Sequence, residues 1–245
     1  MTVSDVIEDP LDYITGPTVP DTSTFPEAIS VLEKYDLWDK FPKSAIHYLR
    51  NTTPELETPK DFGEFESRVH SFILIKSGAV CEAAAEKARE LGFTPLILTT
   101  ALEGESREVG IVFAGIAKEI KHSDRPLPPP CAIIAGGETT VKIDSKCGKG
   151  GPNQEFALSA ALQLASYDKV IVAALDTDGT DGPTDIAGGL IDNSTIKRAE
   201  ENNLNVFKHL SEHDASAILL SMGDAIVTGS TGTNANDLKI LLVDR

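Results

Sequence analysis

Residues 131–162, CAIIAGGETTVKIDSKCGKGGPNQEFALSAAL, contain the pattern on which the fold prediction depends. An apolar run at 131–135 ends in the pair Gly136 and Gly137, and an alanine-rich helical segment starts near Pro152. A strand, a glycine-rich turn and a helix follow one another in this way in α/β proteins, where ligands gather beyond the carboxyl ends of strands. The stretch therefore predicts an α/β domain with a ligand-binding turn after this strand.

The alternation of strand and helix continues on both sides of this stretch. Apolar runs that predict strands are FILIK (72–76), LILTT (96–100), KVIVAALD (169–176), AIVTG (225–229) and LKILLV (238–243). The segments CEAAAEKARELG (81–92) and EGESREVGIVFAGIAKEIK (103–121) predict helices between them. This order predicts a three-layer α/β/α fold with a mixed, largely parallel sheet, since the short later connections also permit antiparallel pairs.

Residues 1–66 differ from residues 67–245. Two helical patterns, at 25–37 and 43–51, lie among proline-rich turns, and no strand clearly organises this part. We therefore treat 1–66 and 67–245 as separate regions.

Composition excludes several functional classes. The 245 residues include 22 Lys and Arg against 38 Asp and Glu, a formal charge of -16 that argues against a nucleic-acid surface. No apolar stretch approaches the roughly 20 residues of a membrane span, and the acidic start MTVSDVIEDP does not resemble a signal peptide. The three cysteines form no CxxC pair. These features predict a cytoplasmic protein with reduced thiols.

The first candidate site is GGETT, residues 136–140. Its glycines would let the backbone approach a ligand, and Glu138, Thr139 and Thr140 offer a carboxylate and two hydroxyls. A plain turn between strands explains the glycines equally well.

The second candidate is the turn that leads into the helical segment at 152–164. Gly148, Gly150 and Gly151 surround Lys149, and the helix would start with the polar residues Asn153, Gln154 and Glu155. Polar residues there can simply cap the helix. The excess of glycine nevertheless favours a seat for a phosphate or a carboxylate at the helix N-terminus.

The third and fourth candidates follow the strands at 169–176 and 225–229. DTDGTDGPTD (176–185) holds four carboxylates, and its spacing does not match an EF-hand loop. It favours Mg²⁺ or a polyhydroxy ligand, with tight turns as the alternative. TGSTGTNANDL (228–238) supplies hydroxyl and amide groups that suit a nucleotide or a sugar acid, or an ordinary loop. We expect the glycine-rich turns to converge at one edge of the sheet.

Together, GGETTV, GGPNQEFAL, DTDGTDGPTDIAGG and TGSTGTNANDL, in this order, resemble the C-terminal half of the class II glycerate kinases, the glycerate 2-kinase family with its MOFRL domain. The resemblance spans nearly the whole chain. Two positions depart from the family pattern: Pro152 stands where an arginine is frequent, and Gly78 stands where an asparagine is common.

The resemblance implies a domain organisation. Residues 1–66 would be a remnant of an N-terminal Rossmann-like domain with its linker, and 67–245 a C-terminal α/β domain whose MOFRL region covers about 131–245. Most of the N-terminal domain, with the lysine usually assigned to catalysis, would lie outside this chain. We therefore expect the chain alone to have little activity without that domain or a partner chain.

The resemblance also implies the reaction: transfer of the γ-phosphoryl group of ATP to D-glycerate, with Mg²⁺, giving a phosphoglycerate. The product 2-phosphoglycerate is favoured, and the sequence does not define which hydroxyl is phosphorylated. Lys149 and Asp178 are the candidate catalytic residues. Asp176, Asp178 and Asp181 are candidates for the metal or for the glycerate hydroxyls. Nucleotide and glycerate would bind at a larger set: Gly136, Gly137, Glu138, Thr139, Thr140, Gly150, Gly151, Asn153, Gln154, Glu155, Thr180, Thr228, Thr231, Gly232, Thr233 and Asn234.

Two alternatives stay open. Some relatives are called hydroxypyruvate reductases, an activity that would need NAD(P)H, but no GxGxxG turn is visible in this chain. The chain could also be a non-catalytic fragment that binds ligands only with a partner polypeptide. The sequence does not define the oligomeric state.

Overall fold

The computed structural model of this chain describes residues 4, 6–8, 11–15, 18–144 and 147–245. They form two compact units, one of Asp9–Ile73 and one made mainly of Leu74–Arg245.

The first unit is helical. It contains α1 (Leu11–Thr15), α2 (Phe25–Lys34), α3 (Lys43–Arg50) and two short 3₁₀ turns, Pro54–Leu56 and Gly63–Phe65. A capping box fixes the start of α2, because the Thr24 side chain accepts from the Glu27 backbone and the Glu27 carboxylate accepts from the Thr24 backbone. The described part of this unit has no strand. Its origin as a Rossmann-like remnant stays a prediction.

The second unit is an α/β structure with a six-stranded sheet. Its strands are β1 (Thr94–Leu102), β2 (Cys131–Gly137), β3 (Val170–Asp176), β4 (Gly188–Asp192), β5 (Ala225–Ile226) and β6 (Asp237–Val243). Its helices are α4 (Ser77–Glu90), α5 (Ser106–Ser123), α6 (Pro152–Leu164), α7 (Thr195–Glu201), α8 (Val206–Ser211) and α9 (Ala215–Met222). The strand order is β1-β2-β6-β3-β4-β5.

The sheet is mixed, as predicted, but the expectation that it is largely parallel is wrong. Only β1 and β2 pair in parallel, whereas the other four neighbouring pairs are antiparallel. The physical reason lies in two connections: β4 folds back directly beside β3, and the last strand, β6, inserts between β2 and β3.

Both faces of the sheet carry apolar clusters. The larger cluster joins the sheet to α5 and α6 through residues such as Phe113, Phe156 and Leu241. On the opposite face, Ile134 packs against Cys81 and Ala85 of α4. Successive residues of a strand point to opposite faces, so β2 contributes to both clusters and is completely buried.

The strand predicted at 72–76 is wrong. Residues 72–76, FILIK, do not belong to a strand, and the side chains of Phe72 and Leu74 are 81% and 80% exposed. An apolar run becomes a strand only where another strand pairs with it, and β1 pairs on one side only, with β2. No helix in the described part of the chain is long and apolar enough to cross a membrane.

Candidate active site

The four polar segments singled out in the sequence meet at one edge of the sheet. β2 and β3 both end there, and β6 starts there, because Gly137 and Asp176 are both register partners of Asp237. The N-terminus of α6 joins them, since Asn153 Nδ2 donates to Asp237 Oδ1 over 2.7 Å. The predicted convergence is confirmed.

The glycines of GGETT are explained by close packing against the protein itself. A β-carbon on Gly137, whose φ is +143°, would lie 2.8 Å from the Leu102 α-carbon, and one on Gly136 would lie 2.8 Å from Cys81 Sγ. Thr139 is buried, with its hydroxyl accepting from Ser106 Oγ over 2.9 Å. These contacts favour the structural-turn interpretation for Gly136, Gly137 and Thr139. Thr140 is exposed, and its N–H donates to the Gly104 carbonyl over 2.9 Å.

An internal carboxylate occupies the N-terminus of α6. Asp181 Oδ1 accepts from the Asn153 N–H over 3.1 Å, and Asp181 Oδ2 accepts from the Gln154 N–H over 3.0 Å. The Asn153 side-chain amide adds a third bond to Oδ1 at 3.1 Å. The predicted anion seat at these amides is therefore not supported, because Asp181 already satisfies them.

Lys149 lies in a turn whose shape is set by the loop between α8 and α9. Its N–H donates to Asp214 Oδ1 over 3.0 Å, and its carbonyl accepts from the Ser216 N–H over 3.0 Å. A β-carbon on Gly150 would lie 3.1 Å from the His213 carbonyl oxygen, and one on Gly151 would lie 2.5 Å from the Asp181 carbonyl carbon. The glycine excess thus permits packing, while Lys149 itself is exposed.

Two more residues predicted to bind ligand, Gln154 and Glu155, are buried. Gln154 Oε1 accepts from Ser216 Oγ over 2.6 Å. Glu155 Oε1 lies 2.7 Å from His213 Nδ1, and Glu155 Oε2 lies 3.4 Å from Arg107 Nη2. Burial raises the pKa of Glu155, and the neighbouring His213 partly offsets this. Their described contacts are internal.

A polar pocket opens between the loops after β3 and before β6. It has a volume of about 240 Å³ and is lined by Asp178, Thr180, Ser230, Gly232, Thr233 and Asn234. Asp178 Oδ1 accepts from the N–H and the hydroxyl of Thr180 over 2.7 and 2.8 Å. Asn234 Nδ2 lies 3.4 Å from Asp178 Oδ2. The structure therefore brings together five residues predicted to bind ligand, with Asp178 among them.

Neighbouring threonines hold these loops together. Thr231 Oγ1 donates to the Thr177 carbonyl over 2.6 Å, and the Thr231 N–H donates to the Asp178 carbonyl over 3.0 Å. Thr228 is exposed, and its hydroxyl donates to the Gly229 carbonyl over 2.8 Å. These two residues shape the pocket without lining it.

Sequence reasoning missed the buried ion pair between Lys239 and Asp237. Both side chains lie on the inner face of β6, with exposed fractions of 0% and 1%, and Lys239 Nζ bonds to Asp237 Oδ2. The signal was present in the run DLKILLV, because strand alternation places Asp237 and Lys239 on the same face as Leu241. A lysine on that face requires a buried partner.

Burial raises the pKa of three carboxyl groups at this edge. It raises the pKa of Asp181 and of Asp176 to about 6, with backbone hydrogen bonds offsetting part of the effect. Burial and the nearby charge of Asp237 raise the pKa of Glu138 to about 8. Proton affinities shifted in this way are frequent at functional sites.

The three carboxylates predicted to bind metal do not act together. Asp181 caps α6, Asp176 Oδ1 accepts from the Asp178 N–H over 3.0 Å, and Asp178 faces the pocket. Across the described ranges, no group of three or more His, Cys, Asp or Glu side chains is arranged to hold a metal ion. A three-carboxylate metal site is therefore not supported.

Comparison with known proteins gives a consistent family relationship. Residues 131–237 match the MOFRL family, and residues 1–50 match a domain family of unknown function, DUF4147. The chain is 45% identical to a glycerate 2-kinase of Pyrococcus horikoshii over 98% of its own length and 54% of that protein. It is 37% identical to an Agrobacterium vitis protein provisionally named hydroxypyruvate reductase, over 98% of this chain and 54% of the relative.

A solved structure shares the fold. The crystal structure of a glycerate kinase from Thermotoga maritima matches with a TM-score of 0.82 and 42% identity, covering 98% of this chain and 56% of that protein. This chain thus spans about half the length of the relatives it matches. Residues 131–237 are thus similar to the MOFRL family, and nearly the whole chain is similar to part of a glycerate 2-kinase.

Proposed function

We propose that this chain forms part of a glycerate kinase that transfers the γ-phosphoryl group of ATP to D-glycerate, giving 2-phosphoglycerate. The observation that carries the proposal is the 45% identity to a glycerate 2-kinase over 98% of the chain. That span includes all four polar segments that meet at the sheet edge.

The polar pocket suits a ligand with several hydroxyl groups. Asp178 accepts hydrogen bonds, while Thr180, Thr233 and Asn234 both donate and accept them. Glycerate and the ribose of a nucleotide both have hydroxyl groups of this kind. Without a bound cation, the carboxylate of Asp178 would repel a phosphate or the glycerate carboxylate, whereas it can accept from a hydroxyl group.

Magnesium fits this edge as an ion held jointly by the protein and the nucleotide. Mg²⁺ takes oxygen ligands and usually binds through one or two carboxylates together with substrate phosphates. Asp178 lines the pocket and could provide that carboxylate, whereas Asp181 is engaged by three N–H donors. Bound there, the ion would neutralise charge on the phosphate oxygens.

Lys149 is the residue that we propose supplies positive charge from the protein. Its exposed side chain extends from a turn fixed by Asp214 and Ser216, next to the N-terminus of α6. A lysine acts on phosphates as a mobile point charge, which suits an exposed position. Its partner in catalysis would be Asp178, through positioning of the substrate.

Reduction of hydroxypyruvate is the second candidate. The provisional name of the Agrobacterium vitis relative favours it. No GxGxxG turn occurs in the sequence to receive a dinucleotide, so we rank it below the kinase.

Calorimetry and a turnover assay on the chain, supplied with an N-terminal domain of the family, separate these activities. We expect ATP to bind with Mg²⁺ and to bind far more weakly in EDTA, and Asp178→Asn to weaken binding about tenfold. Asp39→Asn, at an exposed position in the helical unit, is the matched control and should bind like wild type. Tight NADH binding without a response to ATP would favour the reductase, whereas ATP binding without phosphorylation of glycerate would favour a non-catalytic fragment.

A further inference from the structure

Glu138 lies where the polar segments meet and retains capacity to accept a proton. It follows β2 directly, and its N–H donates to the Leu102 carbonyl over 2.8 Å, which fixes its backbone. Its side chain is half-buried, with one described hydrogen bond, from Asn236 Nδ2 to Glu138 Oε2 at 3.5 Å. A bond of this length is at the limit of the accepted range and leaves the carboxylate open to a better donor.

The other buried acids near this edge are already committed to protein groups. Asp181 caps α6, Asp237 pairs with Lys239, and Glu155 lies against His213 and Arg107. Among the residues that the structure describes, no Lys, Arg or His forms an ion pair with Glu138. Unlike Asp181, Asp237 and Glu155, Glu138 is therefore not committed, within that described part of the chain, to a helix cap or an ion pair.

Two asparagines connect Glu138 to the polar pocket through side-chain and backbone groups. Asn236 lies beside Glu138, the Asn236 N–H donates to Asn234 Oδ1 over 2.9 Å, and Asn234 Nδ2 lies 3.4 Å from Asp178 Oδ2. Glu138 and Asp178 thus lie at the two ends of one hydrogen-bonded row. A small ligand with its hydroxyls in the pocket would extend along this row.

The surroundings of Glu138 favour its protonated form. Asp237 and Lys239 face it from β6 and Asp176 faces it from β3, and the two carboxylates together with burial outweigh the lysine. The resulting pKa of about 8 lies near neutral pH, where a general base works best.

We propose that Glu138 is the general base that accepts the proton of the attacking glycerate hydroxyl. This inference rests on the proposed kinase function. As the hydroxyl oxygen bonds to the γ-phosphorus, the bond from that phosphorus to the bridging oxygen breaks and its electron pair leaves with ADP. The hydroxyl proton passes to the Glu138 carboxylate and is later lost to water.

Proton release on glycerate binding tests this role without requiring turnover. A hydroxyl bonded to the ionised carboxylate favours that form, so binding near pH 7 should release a proton from Glu138. Calorimetry in two buffers of different ionisation enthalpy measures that release. We expect it in wild type and in Glu103→Gln, an exposed control, and not in Glu138→Gln, which should still bind glycerate.

Turnover, measured with an N-terminal domain of the family supplied, gives a second readout. Glu138→Gln should lower kcat about 10²–10⁴-fold and abolish the rise of kcat with pH between about 6 and 8, whereas Glu138→Asp should keep part of both. Equal proton release in Glu138→Gln, or turnover with an unchanged pH profile, would overturn the assignment and leave the kinase proposal standing. If the folded wild-type chain, supplied with an N-terminal domain of the family, neither bound nor phosphorylated glycerate, both proposals would be overturned.

Discussion

Replacing Asp181 by alanine tests whether an internal carboxylate, and not a ligand, satisfies the N-terminus of α6. Asp181 is 2% exposed, and its two oxygens accept from the backbone N–H groups of Asn153 and Gln154. The Asn153 side-chain amide also bonds to Asp237, so it keeps a partner when Asp181 is removed. The substitution therefore leaves two buried backbone donors without an acceptor.

The expected loss follows from those two donors. Each buried donor left unsatisfied costs about 1–3 kcal/mol, and loss of an N-terminal cap alone costs about 1 kcal/mol. Burial raises the pKa of Asp181 to about 6, so its ionised form at pH 7 destabilises the folded state. Removing the carboxylate therefore offsets part of the loss in the free energy of unfolding. We expect Asp181→Ala to lower the free energy of unfolding by about 3 kcal/mol. Asp181→Asn should lower the free energy of unfolding by about 1 kcal/mol, because the asparagine side-chain oxygen can still accept one of the two N–H bonds.

Urea unfolding followed by far-ultraviolet circular dichroism at pH 7 measures these changes. The single tryptophan, Trp38, belongs to the helical unit, so its fluorescence does not report directly on α6. Asp185→Ala, at an exposed position in the same loop, should stay within about 0.5 kcal/mol of wild type. If Asp181→Ala also stayed within that range, the capping argument would be wrong.

Three further predictions concern the same edge of the sheet. Lys239→Met should lower the free energy of unfolding by about 3–5 kcal/mol in urea titrations, because it leaves Asp237 charged and buried, and adding Asp237→Asn should recover part of the loss. Gly179→Ala should lower the free energy of unfolding more than Gly232→Ala in the same titrations. Both glycines have positive φ, but only at Gly179 would the new β-carbon meet backbone, at 2.8 Å from the Gly229 carbonyl carbon. The free energy of unfolding should fall as pH rises from about 4 to 8. Several buried carboxyl groups have raised pKa values in the folded state, about 8 for Glu138, so the folded state binds more protons over this range than the unfolded chain does. Urea midpoints at several pH values check this, and a rise over the same range would contradict it.

Local pattern was sufficient to predict the elements around the site. The strand, turn and helix expected from residues 131–162 are present as Cys131–Gly137 and Pro152–Leu164. Their convergence with the later loops also follows from sequence, because strand ends lie at the edges of a sheet. The pairing directions could not be predicted, since nothing local indicates that the last strand inserts between the second and third.

The reason for several glycines at this edge lies in contacts between distant parts of the chain. Gly137 packs on Leu102, and Gly151 packs on Asp181, so the neighbouring sequence alone cannot separate a packing glycine from one that admits a ligand. The role of Asp181 also depends on a distant part of the chain. Its own loop predicts a metal ligand, whereas its contacts with the first N–H groups of α6 show that it caps that helix.

The charge at this edge limits how an anionic substrate could bind. The buried cation is paired, since Lys239 bonds to Asp237, and Arg107 lies between Glu105 and Glu155. With a formal charge of -16 on the chain, a free nucleotide would meet an unfavourable potential. If the kinase proposal is right, most of the neutralising charge must therefore arrive with the nucleotide as Mg²⁺, with Lys149 adding one mobile charge. The dependence of ATP binding on magnesium is thus the measurement that most directly connects this electrostatic arrangement to phosphoryl transfer.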